Sequence, residues 1–295
     1  MREKTIYALG FFDGVHLGHG ALLAACRSLA DRLGCKAGAV TFDNRPETLI
    51  RGVAPCLINT AAQRERLMKD QFHMDSVTVL PFDREMMSMP WQDFFRMLRE
   101  TYAAAGIVCG HDYRFGYRGE GNAEKLLAAC GEAGIPCVVI PEQTIDGRRV
   151  SSTYIRSQIE DGHMETAVRF LGHPHIVSGS VVHGHRLGRT LGIPTANLIL
   201  PEGVVVPKFG VYACRCIVDG QSYAAVTNVG TRPTVSGSGI TVEPWILDFD
   251  GDLYDREITL EFYKFLRPET KFAGLDALKA QIQADAVETR AYFGM

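Results

Sequence analysis

Neither a Cys-x-x-Cys pair nor an apolar run long enough to cross a bilayer occurs in this 295-residue sequence, and each absence removes a class of protein. The eight cysteines are scattered, which disfavours zinc ribbons and disulfide frameworks and leaves buried thiols as the expectation. Cys214 and Cys216, two apart in a strand-like run, should project from one face as small hydrophobes. Met1 leads almost directly into an apolar strand, with no basic n-region and no h-region, so a cytoplasmic protein is expected. A net charge of −3 leaves no polybasic patch for a nucleic-acid backbone or an anionic membrane surface. A small molecule is therefore the better default substrate, and the oligomeric state stays open.

With 46% apolar and 22% charged residues, the chain can bury two ordinary cores. Up to about residue 171, short apolar strands (6–9, 37–42, 76–80, 106–109 and 136–140) alternate with amphipathic helices. That rhythm predicts a parallel sheet covered on both faces. Leu22, Leu23, Cys26, Leu29, Ala30 and Leu33 recur with helical period, Asn59 or Thr60 caps a helix over 61–72, and Pro90 opens another over 91–104. After Leu171-Gly172-His173-Pro174 the rhythm changes to short alternating strands, which divides the chain into domains at 1–172 and 173–295. Residues 211–218 and 222–229 flank Asp219-Gly220 as a hairpin, and a second hairpin is expected from 240–248 and 258–266 around Asp250-Gly251. Antiparallel strands without intervening helices suggest a small closed barrel, followed by a helix whose apolar face is Leu275, Leu278, Ile282 and Ala286.

The first chemical motif runs from Gly10 through Phe12, Asp13 and Gly14 to His16 and His19, between the first strand and the first helix. A helix N-terminus presents free N–H groups and a positive dipole end, so two imidazoles there make a site for nucleotide phosphates. Those histidines could also lie on a helix surface, or bind a metal, although no third ligand stands at a suitable spacing. Gly110-His111-Asp112 follows the fourth strand, and Ser151-Ser152-Thr153 with Arg156 opens a later helix. Hydroxyls entering a helix commonly serve as caps, yet beside a His-x-Gly-His loop they and Arg156 suit a triphosphate.

In the second half, Gly184, Gly188 and Gly192 lead into Ile193-Pro194-Thr195-Ala196-Asn197. Backbone N–H groups of such a loop can wrap phosphates, while the Thr195 hydroxyl and the Asn197 amide oxygen are hard ligands suited to Mg²⁺. A hydroxyl undergoing phosphorylation needs a carboxylate to take its proton, and Glu243 is the candidate, although a lone strand Glu commonly faces solvent.

These motifs resemble, in order and along nearly the whole chain, those of the prokaryotic bifunctional riboflavin kinase/FAD synthetase family. The resemblance implies a Rossmann-like nucleotidyltransferase domain followed by a small antiparallel riboflavin kinase barrel with a C-terminal helix. It implies that Thr195 and Asn197 hold Mg-ATP and that Glu243 activates the ribityl hydroxyl of riboflavin, giving FMN. FMN then attacks a second ATP beside His16 and His19, with Asp112, Ser152, Thr153 and Arg156 positioning nucleotide and magnesium, giving FAD. Flavin contacts are expected from Asn44, Arg45 and Arg267. The chain departs from the family at Asn44-Arg45-Pro46, where Pro-His-Pro is usual, and at Pro244-Trp245, where a strand residue and a His are common. A proline there implies an edge or a bulge. Class I aminoacyl-tRNA synthetases share the His-x-Gly-His loop, but their lysine-rich loop is absent. The other alternative is a flavin- or nucleotide-binding regulator without turnover.

Overall fold

The computed structural model describes residues 3–44, 56–182, 193–234 and 237–295. Its contacts divide the chain into two compact units, Met1–Ser152 and Thr153–Met295. In the first unit β1 (Thr5–Leu9), α1 (Leu17–Leu33), β2 (Lys36–Phe42), α2 (Ala61–Phe72), β3 (Ser76–Leu80), α3 (Arg84–Ser88), α4 (Trp91–Glu100) and β4 (Ala104–Gly110) follow one another. A short ribbon of β5 (Arg114–Phe115) and β6 (Gly121–Asn122) precedes α5 (Ala123–Glu132) and β7 (Cys137–Ile140), and a second ribbon, β8 (Thr144–Ile145) with β9 (Arg148–Arg149), ends the unit.

The five main strands lie in the order β3-β2-β1-β4-β7, all parallel. β1 is buried at every position, as a strand covered by helices on both faces must be. Chain order runs outward from β1 in both directions, so the crevice beyond the carboxyl ends of β1 and β4 is the switch point at which such sheets take ligands. Gly10, Asn44 and Asp112 all follow carboxyl ends of these strands.

Thr60, not Asn59, caps α2, in a reciprocal capping box with Gln63. The helix opened by Pro90 stops at Glu100 rather than 104, because Ala103 turns into the left-handed region (φ 54°) and Ala104 already begins β4. Leu33, expected on the buried face of α1, is exposed next to the left-handed Gly34 cap. Among the cysteines, Cys26, Cys109, Cys130, Cys214 and Cys216 are buried free thiols, but Cys56 is exposed and Cys35 and Cys137 are half-buried.

The boundary falls after the first residue of α6 (Ser152–Glu160), and the second unit goes on through α7 (Met164–Leu171). It continues through β10 (His175–Val182), β11 (Asn197–Leu198), β12 (Gly210–Val218), β13 (Gln221–Thr234), β14 (Gly237–Ile246) and β15 (Glu257–Arg267) to α8 (Leu275–Tyr292). The strands close a barrel in the order β10-β11-β14-β13-β12-β15. Tyr212, Cys214, Cys216, Ala225, Val242, Leu260 and Phe262 are fully buried and alternate with the positions beneath α8, so they fill the barrel interior. Burial pushes the Cys216 thiol up to about 12. The hairpin at Asp219-Gly220 forms with both turn residues at positive φ.

The second expected hairpin does not form. β14 pairs with β13 and β11, while β15 pairs with β10 and β12. Asp250-Gly251 lies in a connection running from Ile246 to Glu257, too long for a tight turn, and closure of the barrel sets the partners instead. On α8 the buried residues are Asp285, Ala286 and Thr289, whereas Leu275 is exposed and Leu278 and Ile282 are only half-buried. The helix seats its C-terminal half, through Ala286 and Phe293, on Val211, Ala224, Val226 and Leu247.

His175, on β10 opposite Phe262, is fully buried, and neither ring nitrogen has a hydrogen-bond partner among the described residues. Burial, with a smaller push from His173, holds its pKa down at about 3. The folded protein therefore keeps this ring neutral where the unfolded chain would protonate it. Its contribution to stability is complete above about pH 6.5 and is lost progressively as pH falls toward 3. Urea unfolding at pH 7 and pH 5 should show the unaltered protein losing about 2 kcal/mol more than His175→Leu over that interval. Equal losses in the two proteins would remove His175 from the acid sensitivity.

Candidate active sites

In the first unit the loop after β1 is held in a shape that most residues avoid. Phe12 (φ 58°) and Val15 (φ 39°) are left-handed and fully buried, and Gly14 (φ 82°) lies between them. Such geometry costs about 1–3 kcal/mol per residue and persists where surrounding contacts over-determine it. The contacts are specific. The buried Asp13 carboxylate accepts the N–H groups of Ile58 (2.8 Å) and Asn59 (3.4 Å), and its carbonyl accepts Ser152 Oγ at 2.8 Å. Ser152 of the third motif is thereby brought onto the first.

His16 is the N-cap of α1, and its Nδ1 accepts the N–H of His19 at 3.3 Å. The two rings stack 3.6 Å apart and 11° from parallel, and Phe12 presents its edge to His19 at 5.2 Å. A side chain at Gly18 would meet the His16 ring at 3.1 Å, which explains a glycine between the histidines. His16 is buried and His19 half-buried. The outcome is a pair of imidazoles at the first turn of a helix.

Asp112 is exposed, and its carboxylate pairs with Arg149, whose Nε also reaches Glu142 at 3.2 Å. Asn44 is exposed after β2. Thr153 (exposed) and Arg156 (buried) lie on α6 and group with the second unit. Arg45, Gly184, Gly188 and Gly192 lie outside the described residues.

One organising residue escaped the sequence reading. Arg64 is fully buried on α2; its guanidinium donates to Phe11 O, to Thr41 Oγ1 (2.9 Å) and to Phe42 O (2.9 Å), and it stacks over the Phe11 ring. It thus pins the carboxyl ends of β1 and β2 together. Its signal was present, because Arg64 shares a helix face with Leu67 and Met68, and an arginine on an apolar face needs partners.

In the second unit the relevant ladder crosses three strands. Leu198 pairs with Val242, and Thr195 bridges Trp245, so the antiparallel count sets Asn197 directly opposite Glu243. On the other side Glu243 faces Asn228. Directly opposed side chains have Cβ atoms about 4.5–5.5 Å apart. Glu243, Asn197 and Asn228 are each half-buried, and Thr195 is exposed. Val242 and Pro244 point into the barrel, so Glu243 and Trp245 occupy its outer wall. Asn228 Nδ2 also donates to Glu269 at 3.5 Å.

Pro244 neither ends nor bulges the pairing with β13, which runs in one register from Ala225 opposite Ile246 to Thr234 opposite Gly237. Its carbonyl accepts Ala196 N–H at 3.0 Å, so its missing donor faces the β11 side, where the pairing is limited to Leu198 with Val242 and Thr195 with Trp245. Arg267 ties β15 to α8. Its Nε and Nη2 meet the buried Asp285 carboxylate at 3.0 and 2.8 Å, which also accepts Gln281.

Two family models match the chain, FAD synthetase over residues 1–154 and riboflavin kinase over residues 171–293. A bifunctional riboflavin kinase/FMN adenylyltransferase of Listeria monocytogenes is 34% identical over 98% of this chain and 93% of its own length. The protein of the same description from Pseudomonas fluorescens is 38% identical over 97% and 92%. A crystal structure described as a macrolide-efflux protein from Streptococcus pneumoniae superposes with a TM-score of 0.88 at 31% identity, covering 98% of this chain and 95% of that one. Among the described residues no helix is long and apolar enough to cross a membrane.

Proposed function

Because the chain belongs to the family of bifunctional riboflavin kinase/FMN adenylyltransferases, we propose that its two sites divide the family's two transfers between the β-barrel and the parallel sheet. The protein phosphorylates riboflavin with ATP to give FMN and adenylylates FMN with ATP to give FAD and pyrophosphate. The adenylyltransferase module is assigned to residues 1–172 and the kinase module to 173–295.

In the kinase step Glu243 takes the proton of the ribityl hydroxyl as that oxygen bonds to the γ-phosphorus and the bond to ADP breaks. The observation that carries this assignment is the direct opposition of Asn197 and Glu243 across β11 and β14. Thr195 and Asn197 offer neutral oxygens, and the described residues contain no group of three His, Cys, Asp or Glu that could cage a cation. That donor set fits a magnesium ion shared with nucleotide phosphates. Thr195 and Asn197 would hold Mg²⁺, which would supply charge neutralisation on the phosphate oxygens, while Glu243 keeps the acceptor oxygen in line.

In the adenylyl step the FMN phosphate oxygen attacks the α-phosphorus and pyrophosphate leaves. The attacking phosphate is already an anion, so no base is needed; His16 and His19 stabilise the charge that grows on the departing pyrophosphate. Asp112, Ser152, Thr153 and Arg156 orient the nucleotide, and Asn44, Arg45 and Arg267 are assigned to the flavins. Incubation with riboflavin, ATP and magnesium, followed by chromatography of the flavins, tests the reading. FMN followed by FAD is expected; unchanged riboflavin would leave a flavin- or nucleotide-binding regulator as the better description.

A further inference from the structure

Trp245 is the second outward-facing residue of the pair that begins with Glu243, and the bridge across the ladder sets it opposite Thr195. The outer wall therefore carries two parallel rows. Thr195 and Asn197 on β11 form one, Trp245 and Glu243 on β14 the other. With the first row assigned to nucleotide phosphates, the second lines the phosphoryl acceptor.

Two residues along a strand advance about 6.6–6.8 Å, which is close to the length of an extended ribityl chain. A base at Glu243 that touches the terminal hydroxyl thus leaves the tricyclic ring of the flavin near Trp245. The nucleobase of ATP lies much further from its own reacting phosphorus, with a triphosphate and a ribose between them. The surroundings of Trp245 suit a ring as well. Its neighbour on β13 is Val226, and the indole packs at the border of the apolar cluster formed by Val211, Val226, Leu247 and Ala286. Trp245 is half-buried, packed against that cluster but not enclosed by it.

We propose that Trp245 is a specificity-determining residue of the kinase site, stacking its indole on the isoalloxazine ring of riboflavin while Glu243 meets the ribityl hydroxyl. This rests on the assignment of the β-barrel as the kinase. Aromatic stacking on a planar heterocycle is worth a factor of about ten or more in affinity. It is also sequence-tolerant, in that phenylalanine can replace tryptophan as a platform.

The test compares the unaltered protein with Trp245→Leu and Trp245→Phe. KM for riboflavin, KM for ATP and the emission of enzyme-bound riboflavin are measured, since an indole in face contact extinguishes flavin emission and a phenyl ring does not. Trp245→Leu should raise the riboflavin KM about tenfold, leave the ATP KM within about twofold, and restore the emission of the bound flavin. Trp245→Phe should keep the riboflavin KM within about threefold and still restore emission. A rise in the ATP KM alone, or bound flavin equally dim in all three proteins, overturns the stacking. Riboflavin that binds with its emission quenched by Trp245 but is never phosphorylated would keep the stacking and sink the kinase assignment. FMN formation with bright bound riboflavin in the unaltered protein would do the reverse.

Discussion

Glu243→Gln should slow FMN formation by at least about 100-fold, while FAD formation from supplied FMN stays within about twofold. Glutamine keeps the length and shape of the side chain, so the opposition to Asn197 and the contact row with Asn228 survive. Only the ability to take a proton is lost. General-base assistance contributes about 10² to 10⁴ in rate, and the lower end is the conservative expectation, because a half-buried position admits water as a poor substitute. The adenylyl step is assigned to a different set of residues, His16 and His19 among them, so its rate is the internal control. Loss of both activities would show that the two sites depend on each other; an unchanged FMN rate would remove Glu243 from the chemistry altogether. Riboflavin and ATP KM values should move little, since the amide still accepts a hydrogen bond from the hydroxyl.

The parts of this molecule that could be read from its sequence are those settled over short distances along the chain. Thr60 and Gln63 make a capping box within four residues, and Asp219-Gly220 dictates its own turn. The five parallel strands follow from period and punctuation alone. What could not be read is settled by closure. Asp250-Gly251 carries the chemistry of a hairpin turn, yet the barrel seats β12 between β13 and β15 and so gives β14 and β15 different partners.

The same limit applies to the sites. His16 and His19 are three positions apart in sequence, so their pairing at a helix start was legible, but the ring stacking and the left-handed Phe12 and Val15 that frame it were not. Asn197 and Glu243 are far apart in sequence, and only the register of β11 on β14 makes them face each other. Leu275 shows a related failure. Helical period placed it on an apolar face, but α8 docks through Ala286 and Phe293 near its other end, leaving its first turn exposed. Period identifies a face; it does not say how much of the face a neighbour covers.

The histidine pair supports the second large effect: His19→Ala should slow FAD formation about 100-fold at saturating FMN and ATP, with FMN formation intact. The substitution is well chosen because the loop's cap does not depend on the ring removed. His16 Nδ1 accepts the backbone N–H of His19, which alanine retains. His16→Ala, by contrast, deletes the capping acceptor and costs about 0.5–2 kcal/mol of local stability besides. With Nδ1 accepting that N–H, the neutral His16 ring carries its proton on Nε2. The His19 ring stacks on it with centroids 3.6 Å apart. In the proposed role, two donors fixed before the reaction would act on charge that develops only as pyrophosphate departs, and removing one such donor costs about 10² to 10³ in rate. Rates are best followed as pyrophosphate release, which reports the adenylyl step directly. A variant that releases pyrophosphate at the unaltered rate would leave the His19 ring a packing partner of Phe12 and nothing more.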